Sequence, residues 1–337
     1  MGKITKRNVS GWTREQWLAE RKKSIGGSDA GAVMGLSKYR SPLAVWADKT
    51  DPEVKPEYYS EAMRLGTDLE DYVAQRFMER TGKKVRNNHW LITNSDYPHL
   101  HANIDRSVVG ENACLECKTA SAYMADEWMD GKFPPSYYAQ VATYMLVGEF
   151  QKVYLAVLIL NVCFKVYLFT RDRYEADQPQ PDWIDEVVLV EQRELDALDY
   201  STRTFWTEYV ETGTMPDTDA TSSTSDVLNA LADEMQTPDA EPVDLDDMAM
   251  QLAALSHIDA QMHLLQTQKD EIQNAIKQRM LTSPEAWSED YHITWKPQTK
   301  RTFDWKRYLK EHPGDAKKFE DYIKESTSRV LRIRMSS

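Results

Sequence analysis

The chain has 337 residues, 41% of them apolar and 28% charged, with a net charge of −13. That is enough apolar surface for a sizeable core, and ten Trp with 17 Tyr exclude a generally disordered chain. No run approaches the ~18 apolar residues that span a bilayer, and MGKITKRNVSGW has no apolar stretch behind its basic residues, so a cytoplasmic protein without a signal peptide is expected. Three cysteines without an export signal read as reduced thiols. The acidity is uneven: residues 214–250 carry ten acidic side chains and no Lys or Arg, whereas 251–337 carry 15 basic against 12 acidic. Bulk charge therefore disfavours tight non-specific coating of DNA but leaves a locally basic DNA channel open.

In chain order, Thr13 followed by Gln16 predicts a capping box and a first helix through about Lys23. SIGGSDAGAVMG predicts a glycine-rich turn and a short helix, and SPLAVWADKT another helix. Residues 60–80, SEAMRLGTDLEDYVAQRFMER, form the clearest helix, closed by Gly82. Leu69, Val73 and Phe77 recur along it as a buried face, with Glu70 near that face. HLHANIDRSVV and ACLECKTA predict paired strands around a turn at Gly110-Glu111-Asn112. After Pro134-Pro135 a helix runs to about Val147. The strands KVYLAVLIL and CFKVYLFT follow, then a helix near 191–212.

These elements predict an α/β body over residues 1–212. The Thr/Ser/Asp-rich GTMPDTDATSSTSD opens an acidic linker, 213–247. Residues 248–337 read as a helical and small α+β extension. Leu245, Met248, Leu252, Leu255, Met262, Leu265, Ile272 and Ile276 predict a long helix or helical hairpin. A small basic module ends the chain, with strand, short helices and strand over YHITWKPQTKRTFDW and RVLRIR. Trp295, Lys300, Arg301 and Trp305 suit single-strand stacking, but a small strand-helix module packed on the long helix is the favoured reading, with docking of a partner or of further copies as alternatives.

The chemistry concentrates on the strand pair. Asp105 ends ANID, and Glu116 and Lys118 follow on the next strand, where a period of two puts both on one face. In a hairpin Asp105 and Glu116 meet at the open end, and two such carboxylates repel unless a cation lies between them. Mg²⁺ accepts oxygen ligands of this kind, and a neighbouring lysine can orient water and offset phosphate charge. Glu70 adds a third carboxylate, and Gln140 and Tyr144 lie one turn apart on the helix after the hairpin. The competing reading is a salt-bridged strand edge.

Arg21 with IGGSD, then GLSKYRSPLAVWADKT, the GTDLED helix, ANID, LECK and the YAQVATYM helix resemble, in that order, the YqaJ-like viral recombinase exonucleases. These are relatives of phage lambda exonuclease with a PD-(D/E)xK, restriction-endonuclease-like core, and the resemblance covers about residues 12–212. It implies a central mixed sheet flanked by helices. It also implies a processive 5′→3′ exonuclease on double-stranded DNA with a 5′-phosphate end, in a homotrimeric ring. The 3′ single strand it leaves would pass to a single-strand annealing recombinase, in a bacterial host cell and of phage or prophage origin. It implies two Mg²⁺ ions, replaceable by Mn²⁺. By resemblance Asp105, Glu116 and the Cys117 carbonyl hold a metal, Glu70 serves the second metal, and Lys118 activates water. Gln140 and Tyr144 accompany the site, and Arg21 with Ser28 grips the terminal phosphate. That grip is physically sensible, since Arg offers a bidentate fork and Gly26-Gly27-Ser28 offers backbone N–H groups to an anion. Gly26-Gly27 reads equally as a plain helix-entry turn. The chain departs in NIDR, where many relatives have a small residue after the aspartate. Arg106 is then a DNA contact or a sign of a different turn.

Rival readings are a restriction or repair endonuclease with the same core, and a non-catalytic DNA-binding or annealing protein. The end-grip pair argues against the first and the intact carboxylate-lysine set against the second. Cys114 and Cys117, three residues apart on a strand, face opposite ways, so a thiolate metal site is disfavoured. His99 and His101 read as packing or surface residues. Neither a G-x-S-x-G nor a P-loop motif occurs.

Overall fold

The computed structural model describes residues 2–53, 60–237 and 239–315. It divides into two compact units, residues 1–235 and 236–337. The first is built on a six-stranded mixed sheet of β3 (Val85–Asn87), β6 (Arg106–Val108), β7 (Ala113–Ala120), β8 (Lys152–Ile159), β9 (Cys163–Thr170) and β10 (Glu186–Leu189). The strand order is β10-β9-β8-β7-β6-β3, with β7/β8 and β9/β10 parallel and the other pairs antiparallel. Two small sheets accompany it: β1 (Ile4–Asn8) antiparallel to β4 (Trp90–Asn94), and β2 (Ile25–Gly26) parallel to β5 (Leu100–His101).

Helices cover both faces, because the central strands are apolar on both. On β8, Val153, Leu155 and Val157 pack with Val141, Ala142 and Met145 of α5 (Pro135–Gly148). Tyr154 and Ala156 turn to the other face, against Val73 and Phe77 of α4 (Glu61–Thr81). The Phe77 and Tyr154 rings lie 5.3 Å apart. α2 (Gly27–Val33) and α7 (Gln192–Phe205) join α5 on the first face. α1 (Arg14–Arg21) starts with the expected Thr13–Gln16 capping box, α3 (Pro42–Thr50) is capped by Ser41, and α4 stops at left-handed Gly82. A short α6 (Arg173–Ala176) lies between β9 and β10.

Two expectations change. HLHANIDRSVV does not run as one strand. Leu100–His101 pairs with Ile25–Gly26, and Ala102 bridges Ile92, so only Arg106–Val108 remains for the hairpin with β7. The segment read as a linker contains α8 (Ser222–Met235), which packs against α3 within the first unit. The second unit holds α9 (Ala249–Arg279), one continuous helix rather than a hairpin of helices. It also holds the antiparallel pair β11 (Glu285–Trp287) and β12 (His292–Thr294), and α10 (Trp305–Glu311). The strand expected over RVLRIR lies outside the described residues. Among the described residues no helix is long and apolar enough to cross a membrane.

The two histidines beside β5 are packing residues. The His101 ring bonds the Ser24 hydroxyl at 2.8 Å and the His99 ring the Thr202 hydroxyl at 3.1 Å, all buried. Burial, with Lys49 nearby, pulls the His101 pKa down to about 3, and burial with Arg203 pulls His99 down to about 4. Both fold neutral, so the unfolded chain takes up more protons below its own pKa of about 6.5. Their contribution is complete above about pH 6.5 and is lost as pH falls toward 4, about 2 kcal/mol per histidine by pH 5. Urea unfolding should show this loss in wild type and about 2 kcal/mol less of it in His101→Gln.

Candidate active site

The site forms where the β6–β7 hairpin opens. Arg106 pairs with Leu115 and Ser107 with Cys114, so Asp105, one residue before β6, falls opposite Glu116. The Cys117 backbone N–H donates to Asp105 Oδ2 at 2.8 Å and fastens the carboxylate there. Along β7, Cys114 packs into the α5-side core and Cys117 into the α4-side core. By the same alternation Glu116 and Lys118 face α5. There Gln140 Nε2 donates to Glu116 Oε1 at 2.7 Å and the Tyr144 hydroxyl donates to Oε2 at 3.0 Å. Gln140 also donates to the Tyr144 oxygen at 2.7 Å. Lys118 Nζ completes the set, 2.6 Å from Glu116 Oε1 and 5.2 Å from the centre of the Tyr137 ring.

The electrostatics follow from this crowding. Burial, then the neighbouring Glu116, raises the Asp105 pKa well above the usual carboxylate range. Burial opposes the Lys118 charge, but Glu116, Tyr137 and Asp105 outweigh it and raise its pKa, so Lys118 is a protonated donor. Burial and Glu116 likewise keep the proton on Tyr144. Cys114 and Cys117 are free, on opposite faces, and burial keeps both as thiols, so neither side chain belongs to a metal centre.

A divalent cation fits the Asp105–Glu116 pair. Two adjacent carboxylates, Glu116 buried and Asp105 partly so, have one cation, Lys118, between them, and the negative charge left over is what an Mg²⁺ with one or two carboxylate ligands meets. Among the described residues, no three His, Cys, Asp or Glu side chains stand ready to hold a cation by themselves. Glu70, expected at a second cation, is instead ion-paired with Arg106, which also bonds Asp71 at 2.6 Å. Arg106 is 4% exposed, its guanidinium engaged by Glu70, Asp71 and the Asp105 carbonyl.

Arg21 and Ser28, expected to grip a terminal phosphate, also meet. Arg21 Nη2 donates to Ser28 Oγ at 3.2 Å, and its guanidinium lies 4.6 Å from the Trp17 ring centre. Beneath it Asp29 is fully buried against Arg40 and Lys49, with Lys49 Nζ 2.8 Å from its Oδ2 and 2.8 Å from the Arg21 carbonyl. Burial alone would raise the Asp29 pKa; Arg40, Lys49 and Arg21 reverse this and hold it well below the usual range. The glycines serve close approach. A Cβ on Gly27 would stand 2.8 Å from Tyr144 Cε1, and one on Gly31 2.9 Å from the Ser136 Cα. The Gly26 N–H is turned to Asp29 Oδ2 at 3.4 Å. Thus α2, carrying Ser28, lies directly on α5, carrying Gln140 and Tyr144. A cleft of roughly 380 Å³ is lined by Trp17, Glu70, Trp90, Asp105 and Arg106, and Trp17 is also the ring beside the Arg21 guanidinium. Asp29, Arg40 and Lys49 were not singled out from sequence; the aspartate of IGGSD was visible there, but its two cations become its partners only on folding.

An uncharacterized protein, YqaJ, of Bacillus subtilis (strain 168) is 35% identical over 305 residues, 89% of each chain. The chain belongs to the YqaJ-like viral recombinase family. The YqaJ-like viral recombinase domain itself matches residues 16–151. A match of 305 residues runs well past residue 212, so this YqaJ-like chain resembles its relative in the second unit as well. Among solved structures, LHK-Exo, an alkaline exonuclease from Laribacter hongkongensis crystallised with dAMP, is 18% identical, with 66% of this chain and all of that one covered at a TM-score of 0.47. A phage related exonuclease from Haemophilus somnus 129PT is 10% identical, with 56% and 96% covered at a TM-score of 0.38.

Asp29→Asn should leave buried Lys49 with only the solvent-exposed Asp48 carboxylate, 3.5 Å away, as counter-charge, and destabilise the first unit by about 3–5 kcal/mol. Urea unfolding checks this; a loss below about 1 kcal/mol would mean that the cluster does not hold the end-grip together.

Proposed function

We propose that this chain is a metal-dependent deoxyribonuclease that degrades double-stranded DNA 5′→3′ from a 5′-phosphorylated end. The 3′ single strand that remains is the substrate for an annealing recombinase. The observation that carries the reading is the Asp105–Glu116–Lys118 set on one hairpin, with Gln140 and Tyr144 holding both oxygens of Glu116. Membership of a viral recombinase family supports DNA as the substrate, and the Arg21–Ser28 pair supports action from an end.

Asp105, Glu116 and the Cys117 carbonyl would hold the ion, Mg²⁺ or Mn²⁺ in its place. When bound, it would supply Lewis-acid charge to the scissile phosphate. The chain's own residues do the rest. Lys118, protonated and fixed by Glu116, donates toward the attacking water or a phosphate oxygen and offsets the charge that develops there. Gln140 and the protonated Tyr144 fix the rotamer of Glu116, so its charge does not swing away. Arg21, stacked on Trp17 and bonded to Ser28, meets a terminal phosphate with a planar fork. A dianionic end recognised there fixes which bond reaches the carboxylates, which gives mononucleotide steps and polarity. No P-loop is present to drive translocation, so processivity fits a closed ring of three copies around the duplex, the assembly that the resemblance implies.

Lys118→Ala should lower the digestion rate about 10²–10³-fold while the circular dichroism spectrum stays as in wild type. A variant that digests at the wild-type rate sinks the assignment. Charge-assisted contacts of about 1.5–3 kcal/mol to the end phosphate should make 5′-hydroxyl duplexes react roughly 10–100-fold more slowly than 5′-phosphate ones. In Arg21→Ala that difference should disappear. Equal rates on both ends in wild type would remove Arg21 and Ser28 from the end-grip.

A further inference from the structure

Arg106 stands where the family pattern has a small residue, and its surroundings are complete. Its guanidinium is ion-paired to Glu70, bonds Asp71 Oδ1 at 2.6 Å and donates to the Asp105 carbonyl at 2.8 Å. The register sets Arg106 opposite Leu115, on the face covered by α4, while Asp105 falls opposite Glu116 on the α5 side. Glu70 lines the same cleft as Asp105, but its carboxylate is held by a cation that is part of the chain. A divalent ion at Glu70 would have to displace or sit beside a nearly fully buried guanidinium of like sign. With Asp71 exposed to solvent, three carboxylates, Glu70, Asp105 and Glu116, stand against two fixed cations, Arg106 and Lys118, and a single divalent ion more than balances the remaining charge.

Resting on the nuclease reading above, we propose that Arg106 stands in for a second metal. Each protomer takes one divalent ion, at Asp105 and Glu116, and Arg106 is a positioning residue that neutralises Glu70 and fastens α4 to the hairpin. It is not a DNA contact. The arrangement trades a removable charge for a permanent one beside Asp105, so Glu70 is satisfied whether or not substrate is bound. Glu70 then acts through Arg106, not as a ligand.

The test is a count of bound Mn²⁺ by electron paramagnetic resonance. Mn²⁺ is titrated into the full-length protein with a 5′-phosphorylated duplex whose terminal linkages are phosphorothioate. Wild type should bind one ion per protomer with an uncoupled spectrum. Arg106→Gln, which frees Glu70, should bind a second ion with a spin-coupled spectrum, and Arg106→Lys should stay at one. Two coupled ions in wild type would overturn the proposal whether or not Arg106→Gln folds. A folded Arg106→Gln protein still at one ion would also overturn it. A wild-type protein that binds no ion would overturn both this proposal and the metal-dependent reading, so the two failures are told apart.

Discussion

Two carboxylates forced together at the open end of a buried hairpin are the constraint on which the site depends. The Cys117 N–H holds Asp105 opposite Glu116, and burial denies both the screening of water. Like charges so placed are unfavourable unless their surroundings are built to take them. The chain answers with donors: Gln140, Tyr144 and Lys118 all reach Glu116. The packing of α5 on the sheet brings Gln140 and Tyr144 in, and α2 packs closely on α5 through its glycines. The remaining negative charge is what a cation would meet.

A second polar cluster repeats the logic with opposite sign. Asp29, fully buried, gathers Arg40, Lys49 and Arg21 under the helix that carries Ser28. Two carboxylates, Asp29 and Asp48, among three cations leave a positive surplus there, and the Asp105–Glu116 pair with Lys118 leaves a negative one. In the proposed function the terminal phosphate would go to the positive cluster and the scissile phosphate, with its cation, to the carboxylates. The clusters are tied mechanically as well, because a Cβ at Gly27 would strike Tyr144.

Much of this was legible in the sequence. Capping residues and glycine stops gave α1, α3 and α4 nearly to the residue, because those signals act within one turn. The period of two on ACLECKTA separated the cysteines and aligned Glu116 with Lys118. The illegible parts are those decided by distant partners. Leu100–His101 has the composition of a hairpin strand, yet Ile25–Gly26 takes its hydrogen bonds. The Ser/Thr/Asp-rich stretch after residue 213 looks like a linker until Ser222–Met235 finds the side of α3. The carboxylate of Glu70 was visible in sequence, but its pairing with Arg106, 36 positions away, was not. An ion pair across that separation exists only once α4 lies on the sheet.

The central claim is hydrolysis from a 5′ end by a metal-dependent site. The most direct measurement is the product pattern from a linear duplex labelled at each 5′ and 3′ terminus in turn, with Mg²⁺ or with EDTA. With Mg²⁺ the 5′ label should leave as a mononucleotide from the start, the 3′ label should remain on a long single strand, and EDTA should abolish both changes. Internal fragments, loss of the 3′ label first, or digestion that continues in EDTA would contradict the account.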